Sequence, residues 1–284
     1  MQKRNFELSI AIPASFVSEV PHLREKTIKI GLIGRAAAIF CVNEIIVFPD
    51  LPDTDQTPNT TLLATILSYM ETPQYLRKHL FKMRPELRYA GILPPLGTPN
   101  HPLANKMKAL VPGEHRDGVI LSSRRDGSMV DIGVERLIFL PNKGMRLNAR
   151  VTVKITRVGK TPSIALVRAK PIKNYWGYRV TVSDDPFGRM VTSRPFDLVV
   201  ATSRYGMSIR NEVNKLAKRL KEANSVLLAF GAPTQGLYDI VTHENIELDE
   251  VAAFTINAIP NQGSRTVRTE EAVYASLAVI TSLC

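Results

Sequence analysis

Outside residues 96–170 the sequence alternates strand-like and helix-like stretches, and this alternation is the strongest restriction on the fold. Glu7–Ile12 reads as a strand, Pro21 to Phe40 carries helical spacing at Leu23, Ile30, Ile33 and Ala37, and Glu44–Phe48 is a short apolar run. A loop rich in Pro, Asp and Thr from Pro49 to Thr60 leads into a helix over Leu62–Met70. Further on, Tyr178–Val182, Asp197–Thr202, Val226–Phe230 and Ala253–Ile256 read as strands. A polar helix is predicted over Ile209–Ala223, and a last helix over Glu270–Leu283 with Thr269 as its cap. Short apolar strands separated by helices imply a mostly parallel α/β sheet.

The segment that breaks the alternation differs in charge as well as in pattern. The chain carries a net charge of +11; residues 96–170 hold 14 Lys and Arg against 5 Asp and Glu, the rest 23 against 21. A local excess of that size is an electrostatic footprint for a polyanion, and nucleic acid is the commonest one. The bland alternative is a solvated surface, which normally intersperses both signs. Strand-like runs at Val119–Ser123, Ser128–Glu135, Arg136–Leu140, Leu147–Ile155 and Ser163–Val167 are separated by good turn sequences. Five strands in about seventy residues suggest a small barrel of the oligonucleotide-binding type. Along Leu147–Ile155, Arg150 and Lys154 share the face opposite Val151, Val153 and Ile155, so one face is apolar and the other basic. Arg124, Arg125, Lys143, Arg146, Arg150, Lys154 and Arg157 are the candidate RNA-binding cations.

Several classes of protein are excluded at this level. No stretch approaches the roughly 18 uninterrupted apolar residues of a membrane span, and no signal-peptide block opens the chain. Two cysteines, Cys41 and Cys284, exclude a disulfide framework and point to the cytoplasm, or the nucleus in a eukaryote. His22, His79, His101, His115 and His243 share no metal-binding spacing, so no metal is expected.

Two glycine-punctuated turns near the C-terminus point to a ligand site. Val226–Gly236 and Ala253–Gly263 each run from apolar strand into a loop of Gly, Pro and polar residues, leaving backbone groups free at a strand end. Neither contains a phosphate-loop lysine or a dinucleotide fingerprint, so a triphosphate or pyrophosphate is not indicated.

These elements resemble the SPOUT class of RNA methyltransferases, in particular an archaeal and eukaryotic subfamily with an inserted oligonucleotide-binding-type (OB-like) barrel. The resemblance rests on Ile33–Phe48, Tyr69–Arg77, Leu87–Leu96, Tyr175-Trp-Gly-Tyr178 and Ile259-Pro-Asn-Gln-Gly-Ser-Arg through Ala272. It implies an α/β trefoil-knot methyltransferase domain formed by residues 1–95 and 171–284, with 96–170 as the inserted basic RNA-binding barrel. It further implies S-adenosyl-L-methionine as cofactor, structured RNA, above all rRNA, as substrate, and a homodimer with no membrane or metal partner. The runner-up is an RNA-binding or ribosome-assembly protein that keeps the knot fold with weak or no catalysis.

The resemblance also assigns roles. Thr202, Arg204, Gly231, Ala232, Pro233, Gly236, Asn257, Ile259, Pro260, Gly263, Thr266 and Thr269 would line the cofactor pocket on three strand-end loops. Arg35 would hold RNA at the reaction centre, the alternative being a helix-surface salt bridge. The asparagine that the ribose-methylating branch places before this arginine is Lys29 here, and Gly231-Ala232-Pro233 replaces its second motif, so ribose chemistry does not carry over. Trp176 would either stack a base or pack a domain seam. Glu270 would be a helix-end carboxylate or a proton acceptor. The dimer would form on the first and last helices, the last being apolar around much of its circumference, with Leu277 and Ile280 in the interface.

Overall fold

The computed structural model describes residues 4–168 and 172–284. Along the chain the elements are β1 (Glu7–Pro13), α1 (Leu23–Ile39), β2 (Glu44–Phe48), α2 (Thr57–Glu71) and α3 (Gln74–Leu80). Next come β3 (His115–Ser123), β4 (Ser128–Asp131), β5 (Ile138–Leu140), β6 (Arg150–Arg157) and β7 (Ser163–Val167). The remainder is β8 (Arg179–Val182), α4 (Phe187–Ser193), β9 (Leu198–Ser208), α5 (Ile209–Glu222), β10 (Ser225–Ala229), α6 (Leu237–Thr242), α7 (Leu248–Val251), β11 (Phe254–Asn257) and α8 (Thr269–Ser282). Among the described residues, no helix is long and apolar enough to cross a membrane.

The chain divides into two compact units. An α/β unit contains the described residues of 3–70, 86–96 and 178–284, and a β unit contains 71–85 and those described of 97–177. The sequence-based boundaries at 95/96 and 170/171 therefore leave two segments on the wrong side, 71–85 and the described residues 172–177, both of which belong to the β unit. Residues 71–85 pack with the barrel because Tyr75 of α3 donates its hydroxyl to the carbonyl of Asp117 at 2.6 Å and lies against Gly133. Gly133 has φ +81°, and a Cβ there would stand 2.7 Å from the Tyr75 ring. The side of the boundary at 169–171 falls outside the described residues.

In the α/β unit a six-stranded sheet has the order β11-β9-β10-β1-β2-β8, and every pair is parallel. Its central strands are buried on both faces, which explains why they read as apolar runs without alternation. Leu8, Ile10 and Ile12 turn toward α1, α2, α5 and α8, and Ala11, Ile46 and Phe48 toward α4, α6 and α7. The first four of these helices coincide with helical stretches in the sequence; the last three do not. α2 begins at Thr57, earlier than its apolar spacing suggests, because Asp55 accepts the Thr57 amide at 3.0 Å and Pro58 suits a first turn.

The last helix departs from expectation on one important point. Val273, Leu277 and Ile280 are fully buried within a single chain, packed into the core shared with α1. Leu277 and Ile280 are therefore core residues, not interface residues. Of these two helices it is α1 that exposes large apolar side chains, at Ile28, Leu32 and Ile39.

At the opposite end of the sheet from the strand C-termini, Glu44 opens β2 with its carboxylate 1% exposed. Burial opposes its ionisation, but hydrogen bonds from Arg194, Arg179 and Thr181 outweigh that cost and lower its pKa from 4.5 to about 2. Its folded-state pKa is depressed, so the stabilisation is present above pH 4.5 and lost as pH falls through about 2. Because both arginines are partly solvated, Glu44→Gln is expected to cost about 2 kcal/mol at pH 7 and nothing below pH 2. Urea unfolding at both pH values checks this.

The β unit is an antiparallel five-stranded sheet in the order β5-β4-β3-β6-β7, and β5 comes back close to β7, so the sheet curls toward closure. Register shifts between Ile120 and Ser122 and between Ile155 and Arg157 supply the bends. Ile120, Val130, Ile138, Leu140, Val153 and Ile155 fill its core. β6 alternates in burial as its sequence suggests.

Candidate functional site: a pocket at the strand ends

The C-terminal ends of β9, β10 and β11 and the first turns of α8 enclose a cavity of about 440 Å³ within the α/β unit. That lies in the roughly 300–1,000 Å³ range of small-molecule sites, at the sheet edge where open α/β folds place ligands. Its wall combines apolar groups from Phe230, Ile256, Ile259, Val267 and Ala272 with polar loop residues.

Each loop is held by specific hydrogen bonds. The first, Thr202–Gly206, leaves the β9–β11 ladder: Ala201 pairs with Thr255, and the next paired residue on β9 is Met207, opposite Ile256. This excursion is anchored where Thr202 Oγ1 donates to the carbonyl of Ala229 at 2.8 Å and Asn257 Nδ2 donates to that of Arg204 at 3.1 Å. Glycine is required where the excursion returns, since a Cβ on Gly206 would stand 2.6 Å from the carbonyl oxygen of Thr255.

The second loop, Phe230–Gly236, folds on itself through the Ala232 amide and the Gln235 carbonyl at 2.8 Å. Gln235 Nε2 ties it to buried Asp50, donating at 3.1 Å to both its carbonyl and its carboxylate. Asp239 accepts the Gly236 amide at 2.9 Å and so starts α6. In the third loop, Asn257 Oδ1 accepts the Ile259 amide at 3.0 Å. Thr269 is not the cap of α8: Arg268 occupies that position, and its amide donates to Glu271 at 2.9 Å. Thr269 Oγ1 instead donates to the carbonyl of Gly231 at 3.1 Å, locking the helix to the second loop.

Of the residues assigned to this pocket from the sequence, Thr202, Arg204, Gly231, Ala232, Pro233, Gly236, Asn257, Ile259, Thr266 and Thr269 line the cavity, whereas Pro260 and Gly263 do not. Tyr205 and Gln235, which lie within two of the expected loops, also line it, whereas Asp239 and Ser276 were missing from that assignment. Ser276 is 1% exposed and its hydroxyl has no hydrogen-bond partner among the described residues, on a helix whose apolar pattern concealed it. Glu270 does not line the cavity; it is buried 3.7 Å from Lys29, whose ammonium also meets Glu19.

Arg35 is likewise outside the cavity wall. Its guanidinium donates to the carbonyls of Pro95 and Leu96 at 2.9 and 2.6 Å. It stands on α1 among the exposed residues Ile28, Leu32 and Ile39, at the helical spacing that sets all four on one stripe.

In the β unit Arg124, Arg125, Lys143, Arg146, Lys154 and Arg157 are exposed. Arg124, Arg125 and Lys143 gather at one end, since Ser128 pairs with Leu140, while Lys154 and Arg157 occupy the other. Arg150 departs from the expected role. It donates to both Glu71 carboxylate oxygens at 2.5 and 2.9 Å and to Asp117 at 2.5 Å, so its charge is spent inside the unit. Trp176 belongs to the same cluster, donating its indole N–H to Asp117 at 3.0 Å, and Asn100 donates to Glu71 at 2.9 Å. Burial pushes the Glu71 carboxyl up to about 7 against the opposing pull of Arg150.

A parallel sheet with a pocket on the ends of three adjacent strands, lined by apolar and polar groups, is the arrangement in which open α/β folds hold a small ligand. The chain belongs to the family described as "Putative RNA methyltransferase", whose model matches residues 7–280, and it is an RNA methyltransferase. An uncharacterized protein of Haloarcula marismortui is 33% identical, over 96% of this chain and 98% of its own length. The 28S rRNA (uridine-N(3))-methyltransferase of Mus musculus is 31% identical, over 98% of this chain and 77% of its own. The protein of the same name from Drosophila melanogaster is 32% identical, over 96% of this chain and 61% of its own.

Proposed function

We propose that this chain transfers the methyl group of S-adenosyl-L-methionine to N3 of a uridine in large-subunit rRNA. The observation that carries this reading is the pocket at the ends of β9, β10 and β11. Its residues suit that cofactor: an apolar wall for adenine, loop backbone groups for the polar edges, and a buried, unpartnered Ser276 hydroxyl calling for a ligand partner. The cofactor supplies an activated methyl on a sulfonium. The protein has to align the RNA nitrogen with that carbon and accommodate loss of the nitrogen's proton.

The crossing of β9 against β11 at Gly206, together with the two following loops, supports a trefoil knot around this pocket. The curled β unit with exposed cations at both ends fits an OB-like RNA-binding module. Charge of this kind acts on phosphates and makes affinity salt-dependent. A cytoplasmic or nuclear site of action follows from the rRNA substrate.

The homodimer is best supported on α1, where Ile28, Leu32 and Ile39 expose an apolar stripe around Arg35. The catalytic role of Arg35 then requires association to carry it to a second protomer's pocket. Leu32→Glu is expected to shift sedimentation equilibrium at micromolar concentration from two chains to one, with Arg35→Ala slowing methyl transfer at least ~100-fold. A monomeric parent that still transfers methyl overturns the dimer.

The function itself is tested with deproteinised rRNA from a strain lacking this gene. Methyl transfer is expected, with N3-methyluridine as the product by mass spectrometry. RNA binding without transfer would establish the assembly-protein reading in its place.

A further inference from the structure

The pocket wall is nearly empty of ionisable chemistry. Among the described residues, Arg204 is its only cation and Asp239 its only carboxylate, and no His, Lys or Cys lines it. Asp239 is committed to the Gly236 amide. The two other buried acids near the loops are also accounted for: Asp50 is held by Ser15, Gln56 and Gln235, and Glu270 lies outside the cavity beside Lys29. Among the described residues no acid is therefore free to take a proton from a substrate in this cavity.

Arg204, by contrast, is built to face it. Its backbone is fixed by Asn257 on an excursion that has left the β ladder, and its guanidinium stacks on the Tyr205 ring, 4.6 Å from the centroid. One nitrogen donates to the Tyr205 hydroxyl and the other makes a long 3.3 Å contact with the carbonyl of Arg265, and among the described residues no carboxylate pairs with the group. Tyr205 is 74% exposed beside it, an aromatic face with no apolar cover.

We propose that Arg204 is a catalytic residue that neutralises the uracil anion, with the N3 proton leaving to solvent and not to a carboxylate of the protein. This rests on the uridine-N3 reading and adds to it. Uracil N3 is protonated at neutral pH and is not a nucleophile in that form. When the N3–H bond breaks, water or hydroxide takes the proton and the negative charge spreads onto O2 and O4. A guanidinium beside those oxygens stabilises the anion, as a donor aimed at developing charge does. The N3 electron pair then bonds the methyl carbon while the sulfur–methyl bond breaks, its electron pair staying on sulfur as a neutral thioether. Tyr205 offers its exposed ring to the base and holds the guanidinium through its hydroxyl.

The test uses the full chain and transcribed rRNA containing either uridine or 5-fluorouridine, whose N3 is more acidic. Arg204→Ala is expected to slow single-turnover methylation of uridine RNA at least ~100-fold. Calorimetric affinity for S-adenosyl-L-methionine and the salt dependence of RNA binding should stay within about twofold of the parent. The 5-fluorouridine RNA should restore most of the lost rate, and the variant's rate on uridine RNA should climb with pH. A fall in cofactor affinity would make Arg204 a cofactor ligand, and a fall in RNA affinity with a shallower salt slope would make it a phosphate ligand; either overturns the proposal. If the parent yields N3-methyluridine but the variant is equally slow on both RNAs, the proposal alone fails. A parent product other than N3-methyluridine overturns the reaction reading and the proposal with it.

Discussion

Leu277→Glu is expected to unfold the α/β unit, not to split a dimer. The side chain is fully buried within one chain, in the core that α8 shares with α1, Leu8, Ile10 and Ile12. Replacing it removes a large apolar contact and puts a carboxylate into an apolar core. Large-to-small changes at such sites cost about 2–5 kcal/mol, and an unpaired buried charge adds to that. The sum reaches the scale of a whole domain's stability, about 5–15 kcal/mol. Thermal melting by circular dichroism should show loss of the cooperative transition at the parent's midpoint. A variant that stays folded while sedimenting as a monomer would return Leu277 to the interface. Leu32→Glu, on the exposed stripe, should leave the melting transition near that of the parent.

Arg150→Ala should cost the β unit about 3–5 kcal/mol, the usual penalty for removing one partner of a buried ion pair. Glu71 and Asp117 would be left facing each other in a buried cluster without the cation that separates them. Losing Arg150 also removes the group that opposes the burial of Glu71, so the Glu71 carboxyl should rise above about 7. Trp176 is the chain's one tryptophan and its indole N–H binds Asp117, so its fluorescence reports on this cluster directly. Urea unfolding followed at that wavelength should shift to lower denaturant. Arg124→Ala should leave the same curve unmoved and lower RNA affinity, reducing the salt slope by about one phosphate contact. If both variants lose RNA affinity at equal stability, Arg150 is a phosphate ligand after all.

The two arginines show where a strand pattern stops being informative. Alternation on β6 correctly separates the apolar face from the polar one, but it cannot say what the polar face meets. Lys154 meets solvent, and Arg150 meets Glu71, which is distant in sequence and carries no local sign of its partner. α8 poses the same difficulty in apolar form. Its side chains read as excess hydrophobic surface until the sheet and α1 are seen to cover Val273, Leu277 and Ile280 together.

The pocket was legible to a greater degree because its chemistry is local. A β run ending in Gly, Pro and Asn marks a strand end with free backbone groups, and two of the three loops carry that mark. The first loop, Thr202–Gly206, is continuous with β9 and shows its departure from the ladder only through its register with β11. Asp239 and Ser276 escaped because they stand on helices outside those loops and meet the cavity only once the chain is folded.

The sequence by itself determined the classes of element, the parallel sheet, the basic β insert and two of the strand-end turns of the pocket, whose individual residues came from the family resemblance. These depend on periodicity, turn chemistry and charge density, which are properties of neighbours along the chain. Only the tertiary structure decided which helices cover the second face of the sheet, because α4, α6 and α7 are too short to display a helical period. It alone assigned 71–85 to the β unit, buried Leu277, spent the charge of Arg150 and left Arg204 as the single cation at the pocket. Each of those outcomes is a pairing between residues far apart in sequence, and burial and charge balance are fixed only when such pairs meet.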